Sequence, residues 1–174
     1  SLAAALEVAT GTQISLVGSG RTDAGVHAIG QVAHFNLEDP IPDTGDLRNA
    51  VNDRLPPEIH VDQLLTIPNH FKAQYSQKKQ YSYYFQQGSV HLPDLQRYTT
   101  WNYRPLNEIR IAEALQHLCG EHDFGVFGRA SAEVKSTTRT IVKASVEKVP
   151  LPATDTASSE TCHLFRIRLV GSGF

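Results

Sequence analysis

Methionine is absent from all 174 residues, cysteine occurs twice and tryptophan once, and the charges nearly cancel, with 16 Lys and Arg against 18 Asp and Glu. Each shortage excludes something. Cys119 and Cys162 are far apart and show no CxxC or CxxH spacing, so they supply neither a disulfide framework nor a thiolate zinc site, and both read as small reduced core residues. No apolar run approaches the roughly 18 residues of a membrane span, and Ser1-Leu2-Ala3-Ala4-Ala5-Leu6-Glu7 lacks the basic flank of a signal peptide, so the expected setting is cytoplasmic, with no membrane partner. A net charge of -2 gives no overall basic field for a polyanion. Nucleic-acid binding then requires Lys72, Lys78, Lys79, Arg129, Lys135, Arg139, Arg166 and Arg168 to gather on one face. The missing methionine includes position 1, and the first residues already read as helix, so the sequence is expected to be part of a longer chain.

With 40% of its residues hydrophobic, a chain of this length buries a substantial core as one domain or two small lobes. Leu2, Leu6 and Val8 predict the end of an amphipathic helix stopped by Gly11, and Gln13-Ile14-Ser15-Leu16-Val17 predicts a strand entering a glycine-rich loop. Beyond the loop, Ala33, Phe35 and Leu37 alternate with Val32, His34 and Asn36, the period of a half-buried strand. Asp43 or Thr44 caps a helix on which Leu47, Val51 and Leu55 recur every fourth residue until Pro56-Pro57. Ile59, Val61, Leu65 and Ile67, then Phe71, Ala73 and Tyr75, then Tyr81, Tyr83 and Phe85, predict strands that complete an N-terminal lobe over residues 1–92. In a C-terminal lobe over residues 93–174, Asn107 caps a helix carrying Ile111, Leu115 and Leu118, and residues 140–149 and 161–170 alternate as two antiparallel strands joined by a polar loop. Helices and strands mix without a βαβ rhythm, so the fold class is α+β.

The stretch Gly18-Ser19-Gly20-Arg21-Thr22-Asp23-Ala24-Gly25 holds three glycines in eight residues, which lets its backbone approach a ligand and take positive φ. A plain turn between strands is one reading. A dinucleotide or P-loop reading fails on context, because those loops open a helix, whereas residues 26–37 lead into a strand. The remaining feature is Arg21 and Asp23, a guanidinium and a carboxylate two residues apart on a loop able to press against a phosphate backbone.

Gly20-Arg21-Thr22-Asp23-Ala24-Gly25-Val26-His27-Ala28-Ile29-Gly30-Gln31-Val32 closely resembles the signature of the TruA-type tRNA pseudouridine synthases. Leu55-Pro56-Pro57-Glu58-Ile59 is similar to that family's LPPdI segment, Phe71-Lys72-Ala73-Gln74-Tyr75-Ser76 to its FhARfS segment, and Tyr81-Ser82-Tyr83 to its YxY. Gly120-Glu121-His122-Asp123-Phe124 resembles its GxhDF segment and Arg139-Thr140-Ile141 its RtI, all in the family's order. The resemblance implies a pseudouridine-synthase fold, two ferredoxin-like lobes around mixed, mainly antiparallel sheet, with no metal and no organic cofactor. It implies tRNA as substrate, with uridines 38 to 40 of the anticodon stem-loop as the bacterial targets, and a homodimer. Asp23 takes the role of the catalytic carboxylate, Arg21 holds the space or phosphate beside a flipped uridine, and Tyr81 packs against the uracil. Gly20, Thr22, Gly25, His27 and Gln31 match positions around the substrate. The plainer alternatives are a loop salt bridge for Arg21, a buried strand face for Tyr81, and structural hydrogen bonds for His27 and Gln31. Tyr83, Phe124 and Phe127 are expected in the core.

The chain departs from the family in three places. The first strand and most of the following helix have no counterpart before Ser1, the arginine segment that partners the aspartate has none after Phe174, and the spacing from Phe71 to Tyr81 is one residue short. That spacing, with the absence of methionine, predicts a residue omitted between Ser76 and Tyr81. The missing arginine segment and the near-neutral charge keep open a second reading, an RNA-binding module that retains the fold without turnover.

Overall fold

In the computed structural model, helix α1 (Leu2–Thr10) starts at Ser1, whose hydroxyl accepts from the Ala4 N–H at 3.4 Å, and stops at Gly11, which takes φ 69° and donates to the Glu7 carbonyl. A left-handed residue at that place is what ends a helix, and glycine meets no Cβ penalty there. The structure describes residues 1–127, 136–151 and 162–172 and forms two units, Ser1–Ser76 and Gln77–Phe174. Arg129, Lys135, Thr161, most of the loop after residue 150, Gly173 and Phe174 lie outside the described residues.

In the first unit, helix α2 (Thr44–Asn52) is capped by Asp43, whose carboxylate accepts from the Gly45 and Asp46 N–H groups. Leu47 and Val51, one turn apart, face inward and join Ala5, Leu6 and Ile14 in one apolar cluster. Val8 does not belong to the inward stripe: it is 68% exposed, and α1 buries Ala5 and Leu6 instead. Two short strands, β1 (Val17–Gly18) and β2 (Ala33–His34), pair antiparallel, and Phe35 and Leu37 reach the cluster beyond them.

The strands expected around Ile59 to Ile67 and Phe71 to Tyr75 do not form. Side chains take the place of a partner strand. The Asn52 carboxamide donates to the Val61 carbonyl at 3.0 Å and accepts from its N–H at 2.8 Å, and Arg48 donates to the Asp62 carbonyl. Val61 therefore packs on the core while Leu65 is 68% exposed, and the apolar alternation has no sheet to face. Residues 68–75 are held by turns, with the Ala73 N–H donating to the buried ring of His34.

The second unit is a five-stranded mixed sheet built from β3 (Lys79–Gln87), β4 (Thr100–Asn102), β5 (Gly120–Asp123), β6 (Thr138–Val149) and β7 (His163–Gly171), in the order β4-β3-β7-β6-β5. Only β3 and β4 run parallel, so the α+β class with a mainly antiparallel sheet agrees with expectation. By packing, β3 belongs to this unit, whereas the sequence reading assigns it to the lobe over residues 1–92. Helix α3 (Glu108–Gln116), capped by the Asn107 carboxamide, lays Leu115 on Ile141 and Ala144 of β6. The other face carries Leu92, Leu95 and Leu164 with Tyr84 and Val149 around them. Gln86 is fully buried there and fully used: its amide donates to the Val90 carbonyl and its oxygen accepts from the Leu92 N–H.

Two aromatics expected in the core are outside it. Tyr83 is 52% exposed, because α3 packs on β6 and leaves the β3 end of that face open. Phe127 is 79% exposed in a short turn past β5, while Phe124 is half-buried against the Leu115 cluster. Cys162 is buried, Cys119 is half-buried, and both are free thiols, in line with the sequence reading.

Leu6→Ala is expected to cost about 2–5 kcal/mol, because it empties a fully enclosed site, whereas Val8→Ala stays within about 0.5 kcal/mol; urea midpoints of the two variants check this. A second test uses Asp123. Its carboxyl lies below the usual carboxylate range because Thr137 and then the Gly125 N–H donate to it, against a smaller opposing effect of desolvation. A depressed carboxyl contributes stability that is present above its unfolded value and lost as pH falls through the folded one. Asp123→Asn should therefore flatten the decline in melting temperature on going from about pH 5 to about pH 3.

Candidate active site

The glycine-rich loop of the first unit is fastened at its neck and exposed at its tip. The neck is the β1–β2 pair, with Val17 opposite His34 and Gly18 opposite Ala33, extended by a hydrogen bond from the Ser19 N–H to the Val32 carbonyl at 2.8 Å. Two residues of ladder on each side are a short hold, and Gln31 adds to it. Its oxygen accepts from the Ser19 hydroxyl at 2.8 Å, and its amide donates to the Gly20 carbonyl at 2.9 Å. A single side chain thus joins the descending arm of the loop to the ascending one. These are structural hydrogen bonds of the kind given above as the plainer alternative for Gln31.

At the tip, the Val26 N–H donates to the Asp23 carbonyl at 3.0 Å and closes a four-residue turn with Ala24 and Gly25 at its corners. Gly25 takes φ 82°, the third-position geometry of a type II turn, which a side chain would strain. Asp23 opens that turn, and residues 20–32 are exposed throughout. Arg21, Thr22 and Asp23 follow one another along the exposed arm that leads into the turn, and neither Arg21 nor Asp23 enters an ion pair among the described residues. The local salt bridge weighed for Arg21 does not form here. His27 follows the turn, on the other arm of the loop, and is exposed as well. An open cleft of about 680 Å³ in this unit is lined by Gln13, Ser15, His34, Asn36, Lys72 and Gln74 among others, and the Asp23 loop takes no part in its walls.

Tyr81 belongs to the second unit. It sits half-buried on β3, opposite Leu169 of β7, on the face that also carries Tyr83 and Phe85. The structure therefore gathers Gly20, Arg21, Thr22, Asp23, Gly25, His27 and Gln31 on one loop and holds Tyr81 on a strand of the other unit. Of the basic residues named from the sequence, Arg166 and Arg168 do converge: both contact Glu147 across the β6–β7 ladder, at 2.6 Å and 3.2 Å. Glu147 and then Tyr84 hydrogen-bond the Arg166 guanidinium and raise it further above its ordinary range. Their spacing of two residues on a strand was the available signal; the carboxylate between them required the register. Among the described residues no group of three or more His, Cys, Asp or Glu is placed to hold a metal ion, and no helix is long and apolar enough to cross a membrane.

Comparison with known proteins points to one chemistry. The family model described as tRNA pseudouridine synthase matches residues 114–174. The tRNA pseudouridine synthase A of Lactococcus lactis is 38% identical over 135 residues, covering 76% of this chain and 53% of the relative. That of Thermoanaerobacter sp. strain X514 is 36% identical over 145 residues, covering 83% of this chain and 59% of the relative. The Limosilactobacillus reuteri protein of the same name is 38% identical over 136 residues. The chain spans a little over half the length of these curated relatives.

Gln31→Leu is expected to open the neck of the loop while leaving the α1–α2 core intact. Loss of the paired hydrogen bonds costs about 1–2 kcal/mol locally, so the Ser19 amide should exchange roughly tenfold faster; hydrogen exchange resolved by residue measures it, with the Val51 amide as the unaffected reference.

Proposed function

We propose that the chain belongs to the tRNA pseudouridine synthases of the A type and carries the catalytic loop of an enzyme isomerising uridine to pseudouridine in tRNA, with Asp23 as the reacting carboxylate. The observation that carries this reading is the uninterrupted segment from Gly20 to Val32, held at its neck by Gln31 and presenting Asp23 on an exposed turn. A carboxylate that must reach a nucleotide in a folded RNA needs such exposure, since a stacked uridine offers its sugar and C5 only when swung out of the helix.

The reaction is balanced without a cofactor. The bond between C1′ of the ribose and N1 of the uracil breaks, the base turns, C1′ joins C5, the C5 proton leaves and N1 gains one. Asp23 supplies the ionised carboxylate that starts the sequence. Arg21, two residues away, carries a planar guanidinium suited to a phosphate or to the gap left by the flipped base. For Tyr81 the resemblance supports the role of a ring on which uracil stacks. Gly20, Thr22, Gly25 and His27 shape the loop around the nucleotide. The proposed target is the anticodon stem-loop at uridines 38 to 40, acted on in the cytoplasm by a homodimer.

In the intact protein Asp23→Asn is expected to lower tritium release from tRNA labelled at uridine C5 by roughly three orders of magnitude or more, with tRNA affinity little changed, because the amide keeps the shape of the carboxylate and loses its reactivity. Turnover near wild type in the variant would remove Asp23 from the mechanism. Wild-type protein that binds tRNA without any release would instead favour the non-catalytic RNA-binding module.

A further inference from the structure

The strand register of the second unit assembles a grid of polar side chains on the sheet face that carries Arg166 and Arg168. Directly opposed residues share a face, so three rungs cross β3, β7 and β6 in that order: Gln80, Val170 and Lys143; Ser82, Arg168 and Ser145; Tyr84, Arg166 and Glu147. Beyond them the rung of Gln86, Leu164 and Val149 closes the apolar end. Gln80, Ser82 and Lys143 are exposed, and Ser145, Arg166 and Arg168 are half-buried, so the polar rungs form an open surface.

The hydrogen-bonding capacity of this grid is one-sided. Arg168 stands between two serine hydroxyls, with the Lys143 ammonium and the Gln80 amide one rung away, and the only carboxylate on the three rungs is Glu147. One oxygen of Glu147 already receives Arg166 through Nη2 at 2.6 Å and Nε at 2.8 Å, and Arg168 through Nη2 at 3.2 Å. One negative charge thus answers two guanidinium groups, and with Lys143 the three rungs carry an excess of positive charge. Among the described residues the Arg168 Nε–H is the one buried side-chain polar atom without a hydrogen-bond partner. That atom is shielded from solvent, so the donors this face offers outward are the exposed Lys143, Ser82 and Gln80 and the half-buried Arg168 and Ser145.

We propose that Arg168, Lys143, Ser82 and Ser145 form a docking site for the phosphate backbone of RNA, adding affinity rather than chemistry. Charge complementarity selects this occupant: the site offers ammonium, guanidinium and hydroxyl donors to a repeating anion, and its apolar content is confined to Val170. This deepens the tRNA reading above and depends on it.

The test is a titration of unmodified tRNA transcript against the intact protein at several salt concentrations, for wild type, Lys143→Gln and Arg168→Gln, with tritium release followed in parallel. Removing one cation from the phosphate backbone should reduce the slope of log affinity against log salt by about one and weaken binding roughly three- to tenfold at low salt. Turnover at saturating tRNA should remain at the wild-type rate. Lys143→Gln leaves the Glu147 pair untouched, so it reports on the site even if Arg168→Gln disturbs the sheet. Retained affinity and slope in Lys143→Gln, with normal turnover, would overturn the docking site and leave the enzyme reading standing. Absence of tRNA binding by wild type would overturn both, and a loss of turnover at saturating tRNA would place these residues in catalysis instead.

Discussion

Strand β7 is hydrogen-bonded along both edges, to β3 on one side and β6 on the other, and nearly everything in the second unit depends on that double pairing. Its alternation assigns the two faces at once. Ile167 and Leu169 go to the α3 side, where they join Ile141 and Ala144 of β6 in one cluster with Leu115 of α3, and Leu164 goes to the other, where it clusters with Leu92 and Leu95. A one-residue slip would exchange these faces and carry Arg166 and Arg168 into the α3 core, which neither could enter without desolvating a charge. The Arg166–Glu147 pair, by contrast, stabilises little, because both groups keep contact with solvent that screens their attraction. The apolar clusters hold the sheet, and the charges record its register.

The loop that carries Asp23 follows the opposite logic. Its neck has two residues of ladder on each side and a bracket from Gln31, while its tip has one turn closed by a backbone hydrogen bond. Such a loop gains little from packing, and its shape comes from local constraints: the left-handed glycine at 25 and the carboxamide at 31. A fastened neck with an exposed tip suits the role proposed for Asp23 towards a large folded RNA, since such a group has to be presented outward and still be aimed.

Much of this was legible in the residues because it is local or periodic. Asp43 before Leu47 and Val51 announced α2, Asn107 before Leu115 announced α3, and the alternation of residues 140–149 announced β6. The glycine-rich signature is contiguous and needed no fold to be seen. What escaped depends on partners distant in sequence. Val61 alternates like a strand residue but is claimed by Asn52, nine positions earlier, and no periodicity encodes that choice. Tyr83 sits in a strand whose aromatics alternate as a core would, yet its exposure is decided by where α3 lands, which is on β6. Arg166 and Arg168 were visible as a pair on one strand face, whereas the shared carboxylate required knowing that β6 pairs with β7 in this register.

The near-neutral composition also needs to be weighed at the right length scale. Net charge governs the field at distances beyond the Debye length, about 8 Å at physiological ionic strength, and there salt has already screened it. Binding of a phosphate is decided inside that distance. On a sheet, neighbouring strands are about 4.8 Å apart and alternate residues about 7 Å apart, so Arg168, Lys143 and their flanking hydroxyls act on one phosphate as a local set. Acidic side chains elsewhere lower the total without entering that set. A chain of net charge -2 can therefore engage a polyanion through a few aligned rungs. Its long-range steering is weaker than that of a strongly basic protein, but the number of phosphates its cations neutralise, rather than its overall charge, fixes the salt dependence of binding.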